Sequence, residues 1–92
     1  MDELSICSYN CRGLPKDKNK IPLRPDVLTI FNNYDIVLIQ ETWYSRQNLF
    51  MLNSLHPSFE GMGVSKVDES TDILQGRYSG GVAILWRKEL SR

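Results

Sequence analysis

With 92 residues the chain can form at most one small domain, and chains of this size bury only about 60 to 65% of the surface that their unfolded state exposes. Charge is balanced at 11 Lys+Arg against 11 Asp+Glu, so no overall basic field points to nucleic acid and no acidic tail to a basic partner. No run approaches the ~20 apolar residues of a membrane span, and the opening MDELSICSYN carries acids where a signal peptide would carry positive charge. An intracellular protein is expected, nuclear or cytoplasmic, neither secreted nor held in a membrane.

The first element, LSICSYN (4–10), is rich in strand formers and ends at Asn10, followed by the turn-forming, basic CRGLPKDKNK. RPDVLTIFNN (24–33) predicts a short amphipathic helix. Pro25 and Asp26 stand where a helix start favours them, Leu23, Val27, Ile30 and Phe31 share a face, and Asn32-Asn33 forms a stop. DIVLIQE (35–41) is a continuous apolar run, the mark of a strand covered on both faces in mid-sheet. Strand, helix, strand implies a parallel pair joined by a right-handed crossover.

SRQNLFMLNSLH (45–56) predicts a second helix with Ser45 as N-cap, a broad apolar face around Leu49, Leu52 and Leu55, and a stop at Pro57. FEGMGVSKV (59–67) reads as a weaker strand loosened by Gly61 and Gly63, and DESTDILQGRYS (68–79) as a loop or frayed hairpin connection. GGVAILWRK (80–88) closes the chain with a well-formed strand. Repeats, low-complexity tracts and internal linkers are absent from the sequence.

Cys7 and Cys11 fall on a strand and its exit loop, where an extended segment holds them ~13 Å apart at ~3.3 Å per residue, too far for a disulfide. Reduced thiols are expected. A zinc site needs three or four Cys or His ligands, and His56 is far along the chain with no matching spacing. His56, at a helix end before Pro57, reads as a capping or surface residue.

Glu41 raises a sharper question, because it stands directly after the apolar strand. Strands end in polar residues, which is the bland explanation. In open α/β sheets, however, ligands bind beyond the carboxyl ends of parallel strands, and Asn10 ends the first strand as Glu41 ends the second. A carboxylate held there suits a hard divalent cation such as Mg²⁺, which takes one or two protein carboxylates plus waters and substrate phosphates. An adjacent amide can donate to a phosphate oxygen or orient the carboxylate.

LSICSYNCRGL, YDIVLIQETWY and RYSGGVAILW together resemble the opening of the endonuclease/exonuclease/phosphatase, or DNase I-like, family in order and spacing. The QETW and SGGVAILW blocks are most similar to the endonuclease domain of non-LTR (LINE-type) retrotransposons. The resemblance runs from Leu4 to Lys88. It implies an α/β fold, the N-terminal half of a DNase I-like four-layer sandwich in the order β-α-β-α-β-β. It implies Glu41 as a ligand of Mg²⁺ or Mn²⁺ and Asn10 as the amide at the metal and phosphate edge, the two forming the catalytic set available here. Tyr78 and Arg77 resemble residues that DNA-cutting members set against DNA, although a hairpin tyrosine that packs locally reads the same way. Thr42 and Trp43 fall on the rim, where packing is the alternative. Arg12 and the lysines at 16, 18 and 20 lie on the loop leaving Asn10, as phosphate contacts or as a solvated loop.

Family members need, further on, an Asp-x-Asn block and a terminal Asp-His pair whose histidine contacts the scissile phosphate. Neither follows these blocks here. Residues 1–92 therefore read as a partial domain without its C-terminal half, a truncated Mg²⁺-dependent phosphodiesterase domain from a DNA-nicking retroelement endonuclease, inactive alone. A fragment of a phosphoinositide or other phosphoester phosphatase, and a non-catalytic interaction module, remain as alternatives. DNA is the expected partner by resemblance, and a sheet missing its second layer should self-associate or pair with the missing half.

Overall fold

A computed structural model describes residues 3–15, 23–65 and 80–91. Four strands form one sheet: β1 (Ile6–Asn10), β2 (Ile36–Gln40), β3 (Phe59–Val64) and β4 (Val82–Arg87), in the order β1-β2-β4-β3. β1 and β2 pair in parallel with Asn10 opposite Gln40, whereas β4 runs antiparallel to both β2 and β3. The expected parallel pair is present, and the chain is a mixed α/β fold in the element order that the sequence suggests.

The helix α1 (Pro25–Asn33) joins the parallel strands. Pro25 enters its first turn, where a missing N–H costs nothing, and Asp26 places negative charge at the positive end of the dipole. Val27 and Phe31, four apart and one above the other, are buried. The predicted stop holds: Asn33 donates its side-chain amide to the Thr29 carbonyl (2.7 Å), and Tyr34 is already extended.

The second predicted helix is present over Arg46–Asn53, but as a 3₁₀ helix. Leu49, Leu52 and Leu55 recur every three residues, the repeat of the 3₁₀ form, and Leu52 and Leu55 are buried with Met51. Such a long 3₁₀ run is uncommon, and side chains hold both of its ends. The Ser45 N–H and hydroxyl donate to Asn48 Oδ1 (3.4 and 2.9 Å), and Asn53 Oδ1 accepts from the Gly61 amide of β3 (3.0 Å). His56 follows this helix but does not cap it, since Ser54 is the C-cap: its Nδ1 accepts from the Ser58 amide in the next turn (3.0 Å), while its half-buried ring packs against Phe31 and Phe59, with centroids 5.6 and 5.4 Å away.

One core lies under one face of the sheet, formed by Val27 and Phe31 of α1, Val37 and Ile39 of β2, Ala83 and Leu85 of β4, Phe59, Leu52 and Tyr44. β2 and β4 are not covered on both faces among the described residues: one face is open, as expected of a sheet missing its second layer. Their burial alternates, and the second face carries Leu38, Val82, Ile84, Met62 and Val64, exposed by 36 to 63%. The apolar run was a true sign of two apolar faces, but only one of them has a layer packed on it among the described residues.

The end of the sheet away from Asn10 is tied by Asp35. Its Oδ2 accepts from the Ser5 amide and hydroxyl (3.0 and 3.1 Å), and its Oδ1 takes the Arg87 Nε at 3.1 Å. Arg87 also donates to the Phe31 carbonyl (3.2 Å) and stands 5.0 Å over the Phe59 ring. One ion pair thus joins β2, β4, α1 and the aromatic cluster.

Candidate metal and phosphate edge

Beyond the carboxyl ends of β1 and β2 the chain does not splay apart. Cys11 N–H donates to the Gln40 carbonyl (3.0 Å), Gly13 to Glu41 (2.8 Å) and Leu14 to Thr42 (3.0 Å), so the two exit segments stay zipped side by side. On the other flank, Thr42 and Trp43 donate to the Gly81 and Gly80 carbonyls (3.3 and 2.9 Å) ahead of β4. Three loops therefore close around Glu41.

Glu41 and Trp43 have left-handed backbones, with φ of 57° and 60°, and Arg12 opposite has φ of 53°. Each non-glycine residue held there costs about 1–2 kcal/mol. Such strain persists only where the surroundings over-determine it, and it clusters at functional sites. The sequence reading ended β2 at Glu41; the ladder ends one residue earlier, at Gln40, because the left-handed turn at Glu41 lifts it out of the strand. Its carboxylate oxygen Oε2 accepts from the Gly80 amide (2.6 Å) and the Trp43 indole Nε1 (3.0 Å).

The floor of the site is packed. Thr42 and Tyr44 are wholly buried, Thr42 Oγ1 accepts from the Tyr44 amide (3.2 Å), and the Tyr44 hydroxyl donates to the Pro15 carbonyl. Cys11 carries a free, buried thiol, which burial pushes up in pKa and which donates to the Glu41 carbonyl (3.3 Å). From outside, Arg24 donates to the Cys11 carbonyl and pairs with Asp26 (3.3 Å). The Tyr9 hydroxyl, bonded to Asp26 at 2.5 Å, holds that carboxyl below the usual carboxylate range.

Asn10 is exposed at the end of β1, and its Oδ1 accepts from the Arg12 amide (3.3 Å). Asn10 and Glu41 thus leave adjacent strands at one edge, as the sequence reading has it, but their side chains are bonded separately, Asn10 to its own turn and Glu41 toward the β4 loop. Tyr78 and Arg77 lie outside the described residues, as do the lysines at 16, 18 and 20. Sequence reasoning missed the Gly80 amide and the polar role of Trp43, which it took as rim or packing. Two glycines before an apolar strand were the available signal for an exposed backbone donor.

Among the described residues no cluster of three or more His, Cys, Asp or Glu side chains could hold a metal. At this edge the described oxygen donors are the Glu41 carboxylate, already engaged on Oε2, and the Asn10 amide oxygen, which also accepts from the Arg12 amide. That donor set fits a hard cation that completes its shell with water and phosphate oxygens, and it is too poor for tight binding. Among the described residues no helix is long and apolar enough to cross a membrane.

In open α/β sheets ligands bind beyond the carboxyl ends of the strands, and the carboxyl edge of this parallel pair carries the gripped Glu41 carboxylate beside the exposed Asn10. The chain matches the family model described as the Endonuclease/Exonuclease/phosphatase family over residues 7–92, and it belongs to that family. No curated protein and no solved structure matches it. Membership places the chain among phosphodiesterase- and phosphatase-type hydrolases.

Proposed function

We propose that this chain supplies one side of a Mg²⁺- or Mn²⁺-dependent phosphodiesterase site, of the DNA-nicking kind carried by retroelements and working inside the cell. Glu41 holds the ion. Asn10 presents its amide to a phosphate oxygen, and Arg77 and Tyr78 contact DNA. The observation that carries this reading is the left-handed Glu41 with both donors on one carboxylate oxygen, since a residue that merely ended a strand would have no reason to be held in a strained conformation. The retroelement assignment is supported by the QETW and SGGVAILW blocks.

Phosphodiester hydrolysis needs an oriented water, charge stabilisation on the phosphoryl oxygens and help for the leaving alkoxide. The bound ion would supply charge stabilisation. Glu41 and Asn10 serve the ion and part of the phosphate, and neither is placed to orient a nucleophile. The chain by itself therefore turns over little, and a complementary half carrying the Asp-x-Asn and Asp-His blocks would complete the site.

The test is nicking of supercoiled plasmid. Alone, the protein should nick no faster than Glu41→Ala. Mixed with the C-terminal half of a relative that has both blocks, it should gain Mg²⁺-dependent nicking that Glu41→Ala reduces by at least ~10²-fold, the scale of a lost electrostatic contribution from the ion. Robust nicking by the isolated chain that survives Glu41→Ala would sink the assignment.

A further inference from the structure

The two oxygens of Glu41 are not equivalent. Oε2 accepts from the Gly80 amide at 2.6 Å and from Trp43 Nε1 at 3.0 Å, which fills the lone-pair directions of one carboxylate oxygen. Both donors also aim the positive ends of their N–H dipoles at that oxygen. A cation approaching Oε2 meets them head on, whereas no described residue donates to Oε1.

Trp43 is fixed in this role from several sides. Its own backbone is left-handed, its amide donates to the Gly80 carbonyl (2.9 Å), and its ring lies directly against Gly13. A Cβ added to Gly13 would stand 2.5 Å from Trp43 Cε3, and Gly13 itself has φ of 100°. A tryptophan serving only to fill space would be buried with its N–H on the nearest carbonyl. This one is half-buried, and its N–H reaches back two residues to the carboxylate.

We infer that Trp43, with the Gly80 amide, commits Oε2 of Glu41 and leaves Oε1 as the single oxygen offered to a metal ion, so that Trp43 is a positioning residue favouring Mg²⁺ over Ca²⁺. The selectivity follows from coordination habits. Mg²⁺ takes near-ideal octahedral shells in which each carboxylate gives one oxygen, while Ca²⁺ gains from bidentate carboxylates in larger, looser shells. A carboxylate with one oxygen occupied by donors loses its bidentate mode. The inference rests on the reading of Glu41 as the metal ligand.

The test uses the indole N–H resonances of the full chain in ¹H–¹⁵N spectra. Trp86 serves as an internal control, since its Nε1 donates to Glu60 Oε1 and Ser91 Oγ (2.9 and 2.8 Å), away from the site. On titration with Mg²⁺ the Trp43 indole and the Gly80 amide should shift together while the Trp86 indole stays still. Trp43→Phe, followed through Gly80, should weaken Mg²⁺ binding about tenfold or more, the usual effect of losing a partner of a metal ligand. The preference for Mg²⁺ over Ca²⁺ should fall with it. Gly13→Ala, which displaces the ring but keeps the donor, should produce the same loss; because alanine at φ of 100° is itself strained, the circular-dichroism spectrum of both variants is recorded alongside, and only variants with the wild-type spectrum are scored.

Mg²⁺ binding that Glu41→Ala abolishes but that folded Trp43→Phe and Gly13→Ala leave unchanged in strength and selectivity would overturn the inference alone. Wild-type protein whose Gly80 and Trp43 signals ignore Mg²⁺ at tens of millimolar would overturn the metal reading of Glu41 with it.

Discussion

Gly81 is the position where one added methyl group should be felt most at the candidate site. Its φ is 91°, and a Cβ there would fall well inside contact distance of Thr42 Oγ1, on a residue with no exposed surface. Holding alanine in this conformation costs about 1–2 kcal/mol, offset by about 0.4–1 kcal/mol from a stiffer unfolded chain, and overpacking a tight contact adds about 1–3 kcal/mol. The sum is roughly 3 kcal/mol, a large share of the about 5–14 kcal/mol expected for a domain of this length. Thr42→Ala removes the clashing oxygen at the expense of the bond to the Tyr44 amide, itself about 1–3 kcal/mol if that amide is left unsatisfied. In urea unfolding, Gly81→Ala should lower the midpoint sharply, and the double variant should be less destabilised than the two singles added together by about 1–3 kcal/mol. Additivity to within about 0.5 kcal/mol, or a Gly81→Ala midpoint equal to wild type, would refute the contact.

Acid should act first through His56, whose pKa is held below the usual ~6.5 by burial and by the Arg87 charge; its contribution is complete above ~6.5 and is lost as pH falls through the folded value. His56→Gln should flatten stability against pH in that window by urea unfolding. Asp35 is held below the usual ~3.9 by the Ser5 amide foremost, then by the Ser5 hydroxyl and Arg87, so its contribution is present above ~3.9 and fails as pH falls through the folded value. Asp35→Asn should lose this acid limb in a circular-dichroism titration, and an unchanged limb would show that the tie is not electrostatic. The open apolar face should bind a hydrophobic dye and drive self-association, and Ile84→Lys, at its centre, should reduce both with little loss of stability. A wild-type monomer at high concentration that binds no dye would contradict the exposed face.

The sequence was most legible where local chemistry and tertiary packing agree. Pro25, Asp26 and the Val27/Phe31 spacing specify α1 by rules that operate within one or two turns, and the helix lies where they put it. The Arg46–Asn53 helix was legible as a helix and not as 3₁₀, because leucines three apart satisfy the i, i+3 neighbours of an α-helix equally well. Which face of β2 is covered was not legible for a different reason: Val37 and Leu38 are both apolar, and nothing in their identity says which neighbour packs on which face. The strained turn was invisible. Glutamate and tryptophan carry no preference for positive φ, and the partners that impose it, Gly13 and Gly80, are about thirty and forty residues distant in sequence. Asn10 and Glu41 could be placed at the same edge from strand ends alone, but the direction of the carboxylate, toward Gly80, could not.

The two ends of the sheet are held in different ways, with the candidate site at one of them. At the Ser5 end, one carboxylate is fully engaged by an amide, a hydroxyl and a guanidinium, no left-handed non-glycine residue occurs among the described residues, and the ion pair reaches into the aromatic core. At the Asn10 end the three left-handed non-glycine residues found among the described residues gather, a carboxylate is engaged by described residues on one oxygen, and Asn10 is exposed. Strain of about 1–2 kcal/mol per residue cannot persist at three neighbouring positions unless something holds it. The holding comes from the zipped exit segments and the buried Thr42 and Tyr44 beneath them. Loosening that floor should therefore release Glu41 from its left-handed conformation before it unfolds the sheet, so amide exchange at Thr42, Trp43 and Gly80 should quicken in Tyr44→Phe, which loses the bond to Pro15, while the β2 and β4 amides stay protected. Equal quickening at both ends would mean that the edge and the sheet open as one unit and that the two ends are not held differently.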